Sequence, residues 1–245
     1  MSACTGVFRR CAQLGAGWMS ELLDFLLPRL CPGCGRRLSK GEGPVCPQCL
    51  LKLTLEWNYD WRTNPRMLQW NEHTCLQKVG ALARYHKKGI VAHVVHQLKY
   101  HRRYELGPWM GRLAVRELRQ TGLFDDVDVL VPIPLTRSRR NWRGFNQAEK
   151  IAEGMAEELG IEMRTDILVR MKNLESQTHL THEQRRGNME GVFALAPGAK
   201  VEGLHLMLVD DVMTTGATML SAIQALEQVP GVQLSAFAWA WVEIH

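Results

Sequence analysis

Short apolar runs and helix-like apolar stripes alternate along the chain from Val79 onward. Continuous apolar runs are typical of strands buried on both faces, and they predict strands at 79–85, 127–131, 167–171, 205–210 and 232–242. Apolar residues at helical spacing predict helices at 90–98, 108–120, 145–159 and 217–229. Strands that alternate with helices indicate an α/β fold with a mostly parallel sheet flanked by helices.

Three zones and one long loop organise the chain. Residues 1–30 predict an amphipathic helical leader docked on the body, because apolar side chains recur there at helical spacing, namely Val7, Leu14, Trp18, Leu22 and Leu26. Residues 31–75 have no strong period and predict a small loop-rich module, and residues 76–245 form the main domain. Within that domain the polar stretch Asn173 to Asn188 predicts a long functional or mobile loop.

Composition sets broad limits on the kind of protein. The chain has 245 residues, of which 46% are apolar and 22% charged, as in a soluble protein with one α/β domain and an accessory module. The net charge of +5 suits a phosphate-rich ligand or a polyanion without requiring one. Glu21 and Asp24 interrupt the apolar stretch of the leader, and no small-residue cleavage site follows. We therefore expect neither a secretory signal nor a membrane span, and a cytoplasmic location.

Two C-x-x-C pairs, Cys31/Cys34 and Cys46/Cys49, are the strongest metal-binding pattern in the chain. Four thiolates at this spacing close a tetrahedral zinc site, and such a site is structural because no coordination position stays open. A redox C-x-x-C would be single and would begin a helix in a thioredoxin-like pattern. The three other cysteines are expected to be buried small residues, and His73 is a weak further candidate ligand.

The run 206–218 predicts a phosphate and ribose site. An apolar strand ends in two carboxylates, and a hydroxyl-rich turn with one glycine then begins a helix, whose first N–H groups favour an anion. Adjacent carboxylates suit a ribose diol or Mg²⁺, so Asp210 and Asp211 are also the candidate catalytic residues. The predicted ribose-phosphate residues are Asp210, Asp211, Thr214, Thr215, Gly216, Ala217 and Thr218. The alternative is an ordinary helix that is merely capped by Asp211 or Thr214.

A basic segment and the long loop are the candidate sites for a pyrophosphate group. The segment after the strand at 127–131 contains Arg137, Arg139, Arg140 and Arg143, which suit phosphoryl oxygens. The alternative is a solvated basic loop. The long loop would act as a water-excluding lid, or else is a disordered surface loop, and its candidate residues are Gln177, Thr178, His179, Arg185, Arg186 and Asn188.

The combination of these motifs resembles one particular family, and not only the fold in general. The segments PIPLTRSRRNWRGFNQA (132–148), HQLKY (96–100) and VDDVMTTGAT (209–218), with the spacing of Gln177 and Arg185, resemble the ComF/GntX family (competence protein F) behind its cysteine-rich leader. The resemblance implies a zinc-binding module on a type I phosphoribosyltransferase-like domain that serves uptake or processing of transforming single-stranded DNA. It also implies that Lys99 reaches the site. Only Cys75 stands where many members carry further cysteine pairs, so we expect one zinc site.

Three functions remain open from the sequence. The first is a phosphoribosyltransferase that uses phosphoribosyl pyrophosphate or ribose 5-phosphate with Mg²⁺, and whether it catalyses transfer is left open. The second is a module that binds single-stranded DNA and DNA-uptake proteins, because Trp142 is interleaved with arginines and Trp57, Trp61 and Trp70 lie in a loop-rich region. The alternative for those tryptophans is packing between domains. The third is a salvage enzyme unrelated to DNA.

Overall fold

A computed structural model describes residues 28–54, 61–171 and 191–242 of the chain. The chain divides into two compact units, Met1–Leu50 and Leu51–His245. Most of the predicted leader (1–27), Trp57 and the predicted lid at 173–188, with Arg185, lie outside the described residues. Residues 61–75, which the composition groups with the cysteine-rich module, belong to the larger unit.

The smaller unit contains a pair of tight turns around cysteines, followed by the first residues of a helix that continues past Leu50. Leu30 and Arg37 form an antiparallel bridge, and between them the Gly35 N–H donates to the carbonyl of Cys31 at 2.8 Å. Gly35 has φ +72°, a left-handed conformation that glycine adopts without steric cost. The helix α1 (Pro47–Thr54) begins with proline, whose fixed φ suits the first helical turn, and it carries Cys49.

A five-stranded parallel sheet forms the centre of the larger unit. Its strands are β1 (Leu76–Arg84), β2 (Val129–Pro132), β3 (Glu162–Met163), β6 (His205–Met213) and β7 (Gln233–Trp241), in the spatial order β1-β7-β6-β2-β3. Two short strands, β4 (Leu168–Arg170) and β5 (Phe193–Leu195), pair antiparallel in a separate sheet. The predicted α/β fold with a mostly parallel sheet flanked by helices is therefore confirmed.

Six further α-helices accompany these strands in the described residues. They are α2 (Pro65–Gln69), α3 (Ile90–Tyr100), α4 (Leu106–Leu118), α5 (Arg137–Arg143), α6 (Gln147–Leu159) and α7 (Ala217–Leu226). Helices α4 and α6 pack closely, because a Cβ at Gly111 or Gly154 would overlap backbone atoms of the other helix. The buried strand residues Leu206, Leu208 and Leu234 form the core with the apolar face of α7. No helix in the described ranges has the length and apolar character needed to cross a membrane.

Three local predictions need correction. The strand expected at 205–210 continues to Met213, so the two acids lie within the strand rather than at its end. The strand expected at 167–171 joins the small antiparallel sheet, since its partner is β5 and not the main sheet. The basic segment expected as a loop is the helix α5, which Thr136 caps at its start and Gly144 ends with φ +82°. That helix buries no residue, so the apolar period that would have indicated it is missing.

Candidate functional site

The two adjacent acids, Asp210 and Asp211, lie near the carboxyl end of the central strand β6. In the ladder Asp210 lies beside Ala238 of β7, and β2 runs along the other edge of β6 as far as Val209. Successive side chains of a strand point to opposite faces, so the two carboxylates are directed to different sides of the sheet. Asp210 also turns back on its own backbone, where its Oδ1 accepts from the Asp211 N–H at 2.8 Å.

Asp211 forms an ion pair with Lys99. The Lys99 Nζ lies 2.7 Å from Asp211 Oδ1, and the side chains are only 19% and 9% exposed. Lys99 stands in the last turn of α3, so a residue expected at the site from family resemblance alone is brought into direct contact with a predicted site carboxylate. The ion pair holds the Asp211 carboxylate in one position.

Asp210 has an unusual protonation equilibrium. Burial and, after it, the neighbouring charge of Asp211 raise the pKa of Asp210 to about 7, although the Asp211 N–H, Lys99 and Arg170 act in the opposite direction. A carboxyl with a pKa close to neutral exchanges protons readily at physiological pH, which is a property of many acid–base groups in enzyme sites.

The turn after β6 leads into the N-terminus of α7. Gly216 is the N-cap with φ +81°, so the capping position belongs to a residue without a side chain rather than to Asp211 or Thr214. The first turn of α7 contains no acidic residue, and its N–H groups therefore present an unopposed positive end of the helix dipole. Thr214, Thr215 and Thr218 are exposed beside it.

A small pocket lies between this turn and the first acid. Its lining includes five of the seven predicted ribose-phosphate residues, Asp210, Thr214, Gly216, Ala217 and Thr218, together with Val212, Met213 and Met219. Asp211 and Thr215 are not part of this lining; Asp211 faces Lys99, and the Thr215 hydroxyl accepts from the Ala217 N–H at 3.4 Å.

Two residues behind the turn were missed by sequence reasoning. Arg66 donates to the backbone carbonyls of both Thr214 and Thr215, and Trp70 lies where a Cβ of Gly216 would be. Asn64-Pro65 is a helix-start signal that could have located α2, but no local pattern indicates a contact across 148 residues.

A second, basic pocket lies beside Lys99 and is lined by Lys99, Tyr100, Arg102, Trp142 and Arg143. The guanidinium carbon of Arg143 lies 5.6 Å from the centre of the Tyr100 ring, and Tyr100 meets Trp142 edge to face with centroids 5.6 Å apart. Of the predicted pyrophosphate residues, this pocket brings together Lys99 and Arg143. It does not include Arg137, Arg139 or Arg140, which are exposed on α5, and Arg140 lies 3.5 Å from Glu149.

The four paired cysteines of the smaller unit form one cluster. The Sγ atoms of Cys31, Cys34, Cys46 and Cys49 all lie within 4.8 Å of one another, and those of Cys34 and Cys46 are 3.8 Å apart. Four sulfurs at ~2.3 Å from a central zinc are about 3.8 Å from each other in a tetrahedron. The cluster could therefore hold a metal ion, and its donor set fits structural zinc.

Electrostatics within the cluster also suit a metal. Burial disfavours the Cys46 thiolate, but hydrogen bonds from Cys49 and Arg36 outweigh this and lower the pKa of Cys46 to about 6. The pKa of Cys49 is raised, because burial and its sulfur neighbours disfavour a further negative charge. Crowded thiolates of this kind are stabilised by a cation at their centre.

Comparisons with known proteins identify relatives. The DNA utilization protein YhgH of Salmonella typhimurium is 38% identical over 138 residues, which cover 54% of this chain and 59% of that protein. YhgH of Escherichia coli K12 is 30% identical over 202 residues, covering 80% of this chain and 83% of the relative. Competence protein F of Haemophilus influenzae is 26% identical over 215 residues, covering 83% and 86%. No family model matches the chain.

Solved structures with some similarity are phosphoribosyltransferases. An adenine phosphoribosyltransferase superposes with a TM-score of 0.37 at 15% identity, covering 60% of this chain and 74% of that one. The glutamine phosphoribosylpyrophosphate amidotransferase of Bacillus subtilis gives a TM-score of 0.36 at 18% identity, covering 53% of this chain and 25% of that one.

Proposed function

The chain belongs to the family of the DNA utilization protein YhgH and competence protein F, and we propose that it serves DNA uptake through a site for a 5-phosphorylated ribose. The ligand is phosphoribosyl pyrophosphate or ribose 5-phosphate, bound with Mg²⁺. A cytoplasmic location and contact with DNA-uptake proteins belong to the same proposal.

One observation carries the ribose-phosphate site: the pocket that Asp210 shares with the N-terminal turn of α7. A phosphate in front of this turn would accept hydrogen bonds from backbone N–H groups of the turn and from the hydroxyls of Thr214 and Thr218. The carboxylate of Asp210 would then accept from a ribose hydroxyl. This arrangement explains why five motif residues line one small pocket without a capping side chain.

Mg²⁺ would be held by the Asp210 carboxylate and retained waters, since hard divalent cations prefer such ligands, whereas Asp211 is directed to the other side of the sheet and pairs with Lys99. When bound, the ion would neutralise charge on a pyrophosphate group. Because Asp210 has a pKa of about 7, its contribution to Mg²⁺ binding should increase as the pH rises through neutrality. Lys99, which pairs with Asp211, would supply a cation to the phosphoryl oxygens.

Phosphoribosyl transfer is the reaction that this arrangement could perform. The C1–O bond of phosphoribosyl pyrophosphate breaks, pyrophosphate leaves with the bonding electron pair, and a nucleophilic acceptor bonds to C1. Lys99 and Arg143 in the basic pocket would stabilise the negative charge of the leaving group. A salvage enzyme without a DNA role would use the same groups.

The second candidate function is binding of single-stranded DNA, and the aromatic residues of the basic pocket favour it. Trp142 is 63% exposed and Tyr100 is 48% exposed, although large aromatic rings are usually buried. Cations beside exposed rings are the means by which sequence-independent single-strand binders hold backbone and bases. Lys99, Arg102 and Arg143 supply these cations.

A pyrophosphate-exchange assay tests the proposal. Phosphoribosyl pyrophosphate, labelled pyrophosphate and Mg²⁺ are incubated with the protein and a panel of bases, and label entering phosphoribosyl pyrophosphate is counted. Exchange that depends on a base, and that Lys99→Met abolishes, supports transfer. Binding of phosphoribosyl pyrophosphate without exchange supports the DNA-binding role, with the ribose-phosphate pocket as a docking point. Absence of both contradicts the proposal.

Structural zinc is the metal that we propose for the cysteine cluster. The four thiolates leave no open coordination position, so the ion would stabilise the fold of the smaller unit and take no part in chemistry.

A further inference from the structure

Arg66 is a charged side chain in the interior of the larger unit. It is only 4% exposed, and among the described residues its hydrogen-bond acceptors are neutral: the Thr214 carbonyl at 2.5 Å, the Thr215 carbonyl at 2.5 Å and Gln69 Oε1 at 3.1 Å. Burial lowers the pKa of Arg66, and no acid in the described part of the chain offsets this shift. A buried charge is costly unless an opposite charge compensates it, so an anion bound near Arg66 would be stabilised.

The hydrogen bonds of Arg66 fix the direction of two peptide groups in the turn. In a trans peptide the C=O and the following N–H point in opposite directions. Holding the Thr214 and Thr215 carbonyls toward Arg66 therefore directs the N–H groups of Thr215 and Gly216 away from it. Those are the groups that an anion in front of the turn would contact.

The helix that carries Arg66 is itself fixed. Asn64 caps α2 by accepting from the Arg66 N–H at 2.9 Å, and its amide donates to the Val79 carbonyl in β1 at 2.8 Å. Trp70, at the end of α2, is 3% exposed and fills the space beside Gly216. Because α2 is tied to the sheet on one side and to the turn on the other, the turn has a rigid support.

We infer that Arg66 is the positioning residue of the ribose-phosphate turn: it holds the peptides of Thr214 and Thr215 in the anion-binding orientation, and its buried charge favours the anion. This inference rests on the proposed function for its ligand. The shape of the turn can be tested without any ligand.

The experiment compares Arg66→Met with Arg62→Met, which removes the same charge four residues earlier. Arg62 is exposed and contacts the Thr121 carbonyl, away from the turn. Amide hydrogen exchange of residues 214–218 is measured in both variants, and calorimetry gives the dissociation constant for ribose 5-phosphate. We expect Arg66→Met to speed exchange and weaken binding by about tenfold or more each, equal to ~1.4 kcal/mol, and Arg62→Met to stay within about twofold.

Two further measurements separate positioning from general destabilisation. Arg66→Lys keeps the charge but has no planar fork, so it should speed exchange while retaining part of the affinity. Adding methylguanidinium to Arg66→Ala should restore binding, whereas methylammonium at the same ionic strength should not. Unchanged exchange in both Arg66→Met and Arg66→Lys overturns the inference. A wild-type protein that does not bind ribose 5-phosphate overturns the proposed function instead, and the exchange data still decide the role of Arg66.

Discussion

The cysteine cluster and the ribose-phosphate turn are assembled in different ways. The four sulfurs come from residues 31–49, and tight local turns are sufficient to bring them together. The turn at 214–218 is a short motif as well, but its shape depends on Arg66, which is 148 positions from Thr214, and its acid pairs with the distant Lys99. The cysteine cluster should lose its ligand only when one of its own residues changes. The ribose-phosphate turn should lose affinity also when a residue outside its motif changes.

Loss of one cysteine should have the largest effect. Cys34→Ser removes a ligand from the proposed zinc site, so the variant should lose the metal and the structure of residues 30–50 should loosen first, because metal binding and local folding are linked. Elemental analysis should find about one zinc per wild-type chain. Cys75→Ser is the matched control and should retain the metal, since Cys75 lies in the larger unit. Zinc absent from the wild type, or equal amounts in both variants, would refute the assignment.

Gly216→Ala tests the support of the turn while the Arg66 side chain is kept. A Cβ at Gly216 would overlap the Trp70 ring, and φ +81° adds backbone strain. Binding of ribose 5-phosphate should weaken by about tenfold or more, or ~1.4 kcal/mol. Gly203→Ala is the control, because Gly203 has φ +73° but open space around its Cβ position. If calorimetry finds equal affinities in the two variants, the overlap with Trp70 has no consequence for the site.

The pH dependence of stability should report on Asp210. Its pKa is about 7 in the folded protein and near 4 in the unfolded chain, so the native state binds the extra proton between these values. The stabilising contribution is therefore complete below pH 4 and is lost as the pH rises through 7. Asp210→Asn should be more stable than the wild type at pH 8, by a few kcal/mol, and the difference should disappear near pH 4. Urea unfolding that shows a constant difference from pH 4 to 8 would contradict the shifted pKa.

Single-stranded DNA binding should show the smallest effects. Trp142→Ala should cost about 1–3 kcal/mol if a base stacks there, with little change in salt dependence. Replacing Arg139 and Arg140 by Ala should shrink the log–log salt slope by about 0.7 per lost phosphate contact and weaken all sequences alike. Fluorescence titration at several salt concentrations measures both. If the affinity for DNA is unchanged by all three substitutions, or if no binding is found at low salt, this surface does not bind single-stranded DNA.

Local patterns identified most of what is local in this protein. The apolar runs identified the strands and helices of the sheet, since burial on both faces of a parallel sheet leaves a clear pattern in the sequence. They did not indicate β3, which is two residues long, or helix α5, which buries none of its residues. The four arginines of the basic segment were expected to act as one group, but helical geometry separates them, and Arg143 alone among them lines the basic pocket.

Long-range partners were the part that sequence reasoning could not supply. Arg66 stands in a stretch that looked like part of a loop-rich module, and its interaction with the turn depends on the packing of α2 against β1. Lys99 was included only because of family resemblance. Contacts between positions so far apart in the chain depend on the tertiary fold. They cannot be predicted from residue type or spacing.

The measurement that tests the account most directly is calorimetry of ribose 5-phosphate with Mg²⁺ against Asp210→Asn, Asp211→Asn and the double variant. Asp210→Asn removes a charged acceptor from the pocket and Asp211→Asn removes the charged partner of Lys99, and we expect a loss of about 1.5–3 kcal/mol for each, with the fold retained. Asp166→Asn is the control, because it neutralises an exposed carboxylate whose partner is Arg164, and it should bind like the wild type. Wild-type affinity in the double variant would contradict the ribose-phosphate assignment.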